Sequence, residues 1–338
     1  MQIMAYGGKN PAPFQQAISH GSSIAPGITG NASAHAMQAL LDNVNCNKSG
    51  VYSGASIECL RRLNVGQLVH ASGSPSAWLP TVDGDFLPRA PSQLIQSGNF
   101  SKMTTALGWC ENSMVLGTDR GIRTSNETKA LLRRRLPGLS STNLDKLLSL
   151  YRATDFSESQ PAGLSQEFFR AARILRDTTM VCPSLFFARQ ISKAGNKLYL
   201  YNWNQTVSDY AINFENKNSP AGLGPVDGSE IPFIYGTIHT GPNPAKSNAT
   251  IGLMHRGPRS WANFAASGNF TLKRHETFQN FIDAFVVKDN IHVFVAGGPS
   301  EGVSPIDGSW ATPAMSAQKL RERCDFITST SLFNELQF

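Results

Sequence analysis

The sequence has 338 residues, of which 41% are hydrophobic, with 29 glycines and 19 prolines scattered along it; this supplies a sizeable core and excludes a disordered, collagen-like or low-complexity chain. The net charge of +6 and pI near 9.1 would indicate nucleic acid or an anionic surface only if the cations were gathered into a patch. The densest cluster, Arg133-Arg134-Arg135 beside Lys129, lies with Leu131, Leu132 and Leu136 in a helix-like stretch, which reads as a solvated helix face with no nucleic-acid-binding motif near it.

The opening residues, "MQIMAYGGKNPAPF", do not carry the charged region and apolar run of a signal peptide. Residues 12–23 predict a helix end, a short buried strand over Ala17, Ile18 and Ser19, and a glycine turn at Gly21. Residues 33–42 predict a helix with Ser33 at its N-cap. "CNKSGVYSGASIEC" is a polar, glycine-punctuated loop between Cys46 and Cys59. Those two cysteines either stay as buried thiols or form a disulfide, worth about 3 kcal/mol for so short a loop on the chain-entropy model. The five cysteines leave at least one thiol unpaired in a monomer and include no C-x-x-C, so zinc and thioredoxin-type chemistry have no support. No metal or cofactor is expected.

Residues 78–100 are rich in proline and turns, and residues 103–113 predict a strand running into a polar loop. Two amphipathic helices follow, one from the Thr124-x-x-Glu127 capping box to Pro137-Gly138, the other from about Thr142-x-x-Asp145 to Tyr151. Residues 166–177 predict a helix with Phe168, Phe169, Ala172 and Leu175 on one face, and residues 183–195 another, with proline and glycine at its ends. "KLYLYNWN" alternates as a strand, "SWANFAASGNF" reads as a short helix and its stop, and residues 290–298 predict a final strand. Strands separated by helices give an α/β protein with a mixed, mostly parallel sheet. No apolar run reaches the roughly 18 residues of a membrane-spanning helix. Seven N-x-S/T sequons, at Asn31, Asn47, Asn99, Asn126, Asn204, Asn248 and Asn269, suit an extracellular glycoprotein. That reading conflicts with the absent leader and points to a chain whose start is missing.

Several runs resemble the type-B carboxylesterase/lipase family of the α/β-hydrolase superfamily, in the family's order. "FQQAISHGSS" is similar to the strand after that family's nucleophile elbow. "SIECLRRLNVGQL" resembles its disulfide loop and the following helix, and "WLPTVDGDFLPRAPSQLIQSGNF" is the most specific run. "VCPSLFFARQISKAG", "LYLYNWN" and "HVFVAGGPSEG" continue the match. The resemblance implies an α/β-hydrolase fold, hydrolysis of carboxylic esters in intact relatives, and residues 1–338 as the C-terminal part of one such domain, with the first strands and the elbow missing.

Ester hydrolysis on this fold needs a serine on a G-x-S-x-G turn, a histidine oriented by a carboxylate, and backbone N–H groups facing the developing oxyanion. The one G-x-S-x-G, at Gly298-Pro299-Ser300-Glu301-Gly302, follows a predicted strand but leads into "VSPIDGSW", which is no helix. By the resemblance, the family acid falls on Ser113 in "GWCENSMVLG", with Glu111 the nearest substitute carboxylate. The family histidine falls on Asp227 in "LGPVDGSEIPFIYG", with His239 the nearest substitute. The expectation is a truncated, catalytically degenerate carboxylesterase relative. The alternatives are a non-catalytic binding or adhesion module of the same fold, and an active esterase whose gene start lies upstream. A carboxylic ester is the substrate if the chain is active, and a protein partner could complete the sheet.

Overall fold

The computed structural model describes residues 1–338 apart from 10–11, 29, 74–77, 160–162, 207–221, 238–247, 273–275 and 288–289. Among them five strands form one sheet: β1 (Gln16–Ser19), β2 (Thr104–Cys110), β3 (Leu198–Trp203), β4 (His292–Ala296) and β5 (Gly302–Pro305). They lie side by side in chain order, β1 to β4 parallel and β5 antiparallel. The helices are α1 (Ala32–Asn43), α2 (Gly54–Arg61), α3 (Val65–Ala71), α4 (Pro91–Gln96), α5 (Ser125–Arg135), α6 (Ser141–Leu150), α7 (Gln166–Arg176), α8 (Cys182–Lys193), α9 (Ile231–Ile234), α10 (Asn248–Ser267), α11 (Pro313–Ser316), α12 (Leu320–Ile327) and α13 (Thr330–Leu336). The mixed, mostly parallel sheet expected from the strand–helix alternation is present.

The two-residue period of the strands sorts their side chains into two cores. On one face Leu107, Trp109, Leu198, Leu200, Val293 and Val295 pack with leucines and isoleucines of the helices. On the other, Ala106, Tyr199, Tyr201, Trp203 and Phe294 join an aromatic cluster with Trp261, Phe264, Phe270, Phe278 and Phe281. Rings in that cluster meet edge-on or stacked at centroid separations such as 5.2 Å for Tyr199–Phe270 and 4.3 Å for Phe270–Phe281. Gly108 is what lets Tyr201 lie flat beside β2. The two residues are paired in register, and a Cβ at Gly108 would stand 1.9 Å from the Tyr201 ring. Gly108→Ala is therefore expected to lower stability by about 2–3 kcal/mol through overpacking, read as a shifted urea midpoint; an unchanged midpoint would mean that the ring has room to swing.

The capping box at Thr124 and Glu127 forms in full, and the helix it starts exposes Arg133, Arg134 and Arg135. Other boundaries differ from the sequence reading. Ser33 does not cap α1; its hydroxyl donates to the Leu79 carbonyl at 3.1 Å. The cap of α6 is Ser140 rather than Thr142, its hydroxyl accepting the Asn143 N–H. β1 is only half-buried along its length. "SWANFAASGNF" is the end of the 20-residue α10, which stops at Gly268 with φ +71°. β4 is not final, because β5 folds back on it. α7 and α8 are not separate helices: a π-helical turn, Asp177–Val181, joins them. Pro183 has no N–H for the carbonyl of Thr179 four residues before it; the Ile24 N–H bonds that carbonyl instead, at 2.9 Å.

Cys46 and Cys59 are disulfide-bonded. A second bridge, Cys182–Cys324, ties α8 to α12, leaving Cys110 as the buried free thiol.

Candidate functional site

In a parallel sheet the polar groups that can meet a ligand gather where strands end at their carboxyl side. Here β1 ends in Ser19-His20-Gly21, β2 in Cys110-Glu111-Asn112-Ser113, and β3 in Asn202-Trp203. Segment 222–237 packs across these ends. The Asn112 N–H donates to the Pro225 carbonyl at 2.8 Å, and its side-chain amide donates to the Leu223 carbonyl at 2.7 Å. Gly224, with φ +74°, has no room for a side chain, since a Cβ would lie 2.4 Å from that amide.

This stitching brings Ser113 and Asp227 together. Ser113 is 2% exposed; its hydroxyl accepts the Cys110 N–H at 3.0 Å and faces both the Cys110 carbonyl, 3.1 Å away, and the Asp227 carboxyl. Asp227 keeps an exposed outer side, while its carboxyl is turned towards Ser113 and Gly21. Loss of water around that carboxyl raises its pKa above the ordinary aspartate value; the Ser113 hydrogen bond lowers it and the charge of Glu230 adds to the rise. Neither position offers an imidazole.

Glu111 sits on the other side of the β2 end in a buried ionic cluster. Arg173 contacts it at 2.7 Å, and Arg176 stands at 3.5 Å. The Asn202 amide donates to it at 2.6 Å and the Gln318 amide at 3.0 Å. Burial alone would raise the Glu111 carboxyl; Arg173 and Arg176 overcome it and hold the carboxyl below its usual range. Both carboxylate oxygens are thus engaged by cations and amides, and the contacts include no histidine. His239 lies outside the described residues. Ser300 stands in the turn between β4 and β5, with Glu301 bonded to Arg256 and to the Gly297 N–H. That is a strand–turn–strand hairpin, not the strand–turn–helix of a nucleophile elbow.

Two groups that the motifs did not single out, Cys110 and His20, complete the site. Cys110 donates its thiol to Glu230 at 3.0 Å. Burial and then the Glu230 charge push that thiol far above its ordinary value, so it is not a thiolate nucleophile. His20, between β1 and its glycine turn, has both ring nitrogens occupied. The Trp261 indole N–H donates to Nε2 at 3.2 Å, and Nδ1 is 2.8 Å from the Tyr201 hydroxyl. An indole N–H can only donate, so Nε2 accepts and the ring is the neutral Nδ1–H tautomer. The signal available in the sequence was a histidine directly after a predicted strand and before a glycine turn; its partner Trp261 is 241 residues away.

Among the sequon asparagines, Asn31, Asn47, Asn126 and Asn269 are exposed and Asn99 and Asn204 half-buried, while the Asn248 side chain is outside the described residues. Among the described residues no group of histidine, cysteine and acidic side chains could hold a metal, and no helix is long and apolar enough to cross a membrane.

A model of the carboxylesterase family matches residues 5–286. The chain is similar to a secreted lipase of Arthroderma benhamiae, at 37% identity over 100% of this chain and 61% of the lipase. It is also similar to the inactive carboxylesterase-like protein VdtD of Byssochlamys spectabilis, at 28% identity over 93% of this chain and 57% of that protein. Among solved structures, EstA of Aspergillus niger has the same fold, with a TM-score of 0.76 at 19% identity, covering 100% of this chain and 62% of EstA. The chain spans about three fifths of the length of these proteins.

Proposed function

The chain belongs to the carboxylesterase family, and from that premise we propose that it is a catalytically silent member whose strand-end site no longer hydrolyses carboxylic esters. The observation that carries this reading is the contact between Ser113 and Asp227, the two positions that the family resemblance gives to the acid and the histidine. A serine hydroxyl and a carboxyl cannot together take a proton from a nucleophile and hand it to a leaving group in the way an acid–imidazole pair does. Among the described residues, the nearby groups do not take over. Glu111 is committed to Arg173 and Arg176, His20 has both nitrogens bonded, and Cys110 is held as a thiol. Similarity to a relative described as an inactive carboxylesterase-like protein supports the same reading.

An extracellular setting is part of the proposal. Two disulfides suit an oxidising compartment, and one similar protein is a secreted lipase.

The test is hydrolysis of a p-nitrophenyl short-chain ester by the purified chain, with and without a serine-directed organophosphate. No inhibitor-sensitive turnover is expected. Turnover that the inhibitor abolishes, with a serine labelled in the mass spectrum, would overturn the proposal and identify the nucleophile.

A further inference from the structure

His20 links three elements. It lies at the end of β1, its Nδ1 meets Tyr201 of β3, and its Nε2 meets Trp261 of α10, on whose indole the imidazole also stacks at 5.9 Å and 17°. β1 is an edge strand among the described residues, with β2 alone beside it. Among the described residues, that pairing and the contacts around its ends join it to the rest of the chain.

We propose that His20 is a pH-sensitive latch, holding β1 to α10 and β3 over the strand-end site while neutral and releasing it when protonated. The geometry sets the direction. A proton added at Nε2 would point at the Trp261 N–H, which has no lone pair to receive it, so one hydrogen bond becomes an opposition of two donors. On the other side the added charge is drawn to Glu230, whose carboxylate is 3.9 Å from Nδ1. The remaining titratable groups around the joint are Tyr201 itself, Cys110 and Asp227 near Glu230, and Tyr235 near Tyr201. Loss of solvent outweighs the pull of Glu230 and sets the His20 pKa below its ordinary value of 6.5. A histidine with a depressed folded pKa favours the folded joint fully above the unfolded value. That contribution is lost as the pH falls from about 6.5 towards the folded value. The inference stands whether or not the site hydrolyses anything.

The experiment follows the seven histidines by NMR titration of their ring Cε1 protons, with His20 identified by its absence in His20→Asn, and follows the Trp261 indole N–H in the same samples. His20 is expected to titrate below pH 6.5, and the Trp261 signal to shift in the same step. Amide protection in β1, corrected for the intrinsic pH dependence of exchange, should drop severalfold across that step in the native chain and stay level in His20→Asn. Trp261→Phe removes the opposing donor and should raise the His20 midpoint. The latch is overturned by a His20 midpoint at or above 6.5, by a Trp261 signal that ignores the titration, or by β1 protection unaffected by it. Should Trp261→Phe not fold, the coincidence of the His20, Trp261 and β1 transitions in the native chain decides the matter.

Discussion

Arg176→Ala is expected to cost about 3–5 kcal/mol of folding stability, the range for breaking a buried ion pair by removing one partner. Arg176 is 1% exposed and Asp177 is fully buried. The guanidinium donates to Asp177 at 2.8 and 2.6 Å, to the Gln318 side chain at 2.9 Å and to the Glu111 carbonyl at 2.8 Å. Its loss leaves Asp177 with the Tyr151 hydroxyl, at 2.9 Å, and leaves Glu111 with one arginine instead of two. Uncompensated charge on Asp177 is the main source of the cost, so Arg176→Met in an Asp177→Asn background should be far milder than the sum of the two single changes. Urea unfolding of Arg176→Ala, of the two single variants and of the double variant measures this. A cost below about 1 kcal/mol for Arg176→Ala, the scale of an exposed pair, would show that water reaches the cluster. The same cluster predicts acid sensitivity. The folded Glu111 pKa is depressed below 4.5, so its contribution is complete above that value and is lost as the pH falls through the folded value.

Removing the Cys182–Cys324 bridge is expected to cost about 5 kcal/mol on the chain-entropy model, because it closes a loop with a sequence separation of 142. The Cys46–Cys59 bridge, with a separation of 13, should cost about 3 kcal/mol on the same model. Paired alanine substitutions, unfolded in urea without reductant, give both numbers. Equal losses from the two bridges would mean that the unfolded chain keeps structure around α8 and α12. Thiol titration of the unfolded native protein should find one thiol, Cys110.

The parts of this fold that were legible in the sequence are those written locally. The capping box at Thr124 and Glu127, the alternation of "KLYLYNWN" and the glycine stops at Gly195 and Gly268 depend on neighbours within a few residues. The partnership of Cys182 with Cys324 was not legible, because spacing cannot select among the pairings of five cysteines. The continuity of α7 and α8 was hidden by Pro183. A proline at that place ordinarily marks a boundary, yet a carbonyl partner from residue 24, distant in the chain, let the helical path continue. For the site, the motif positions Ser113 and Glu111 lie just after β2, and Asp227 lies in the segment packed across the strand ends. They could not show that Glu111 turns towards α7 and away from Asp227, because that depends on Arg173 and Arg176 packed against it from another layer. His20 drew no notice because its chemistry lies entirely in Tyr201 and Trp261.

The π-helical turn between α7 and α8 carries an implication for what this chain can tolerate. A helix advances about 100° per residue, so the turn acts as a fixed angular offset between two faces. One carries Arg173, Arg176 and Asp177 towards the end of β2; the other carries Cys182 towards Cys324. Deleting a single residue within Asp177–Val181 would yield a more ordinary helix and swing everything beyond it by that angle, separating the two cysteines. Size-conserving substitutions away from the buried Asp177 should therefore be better tolerated here than changes of length.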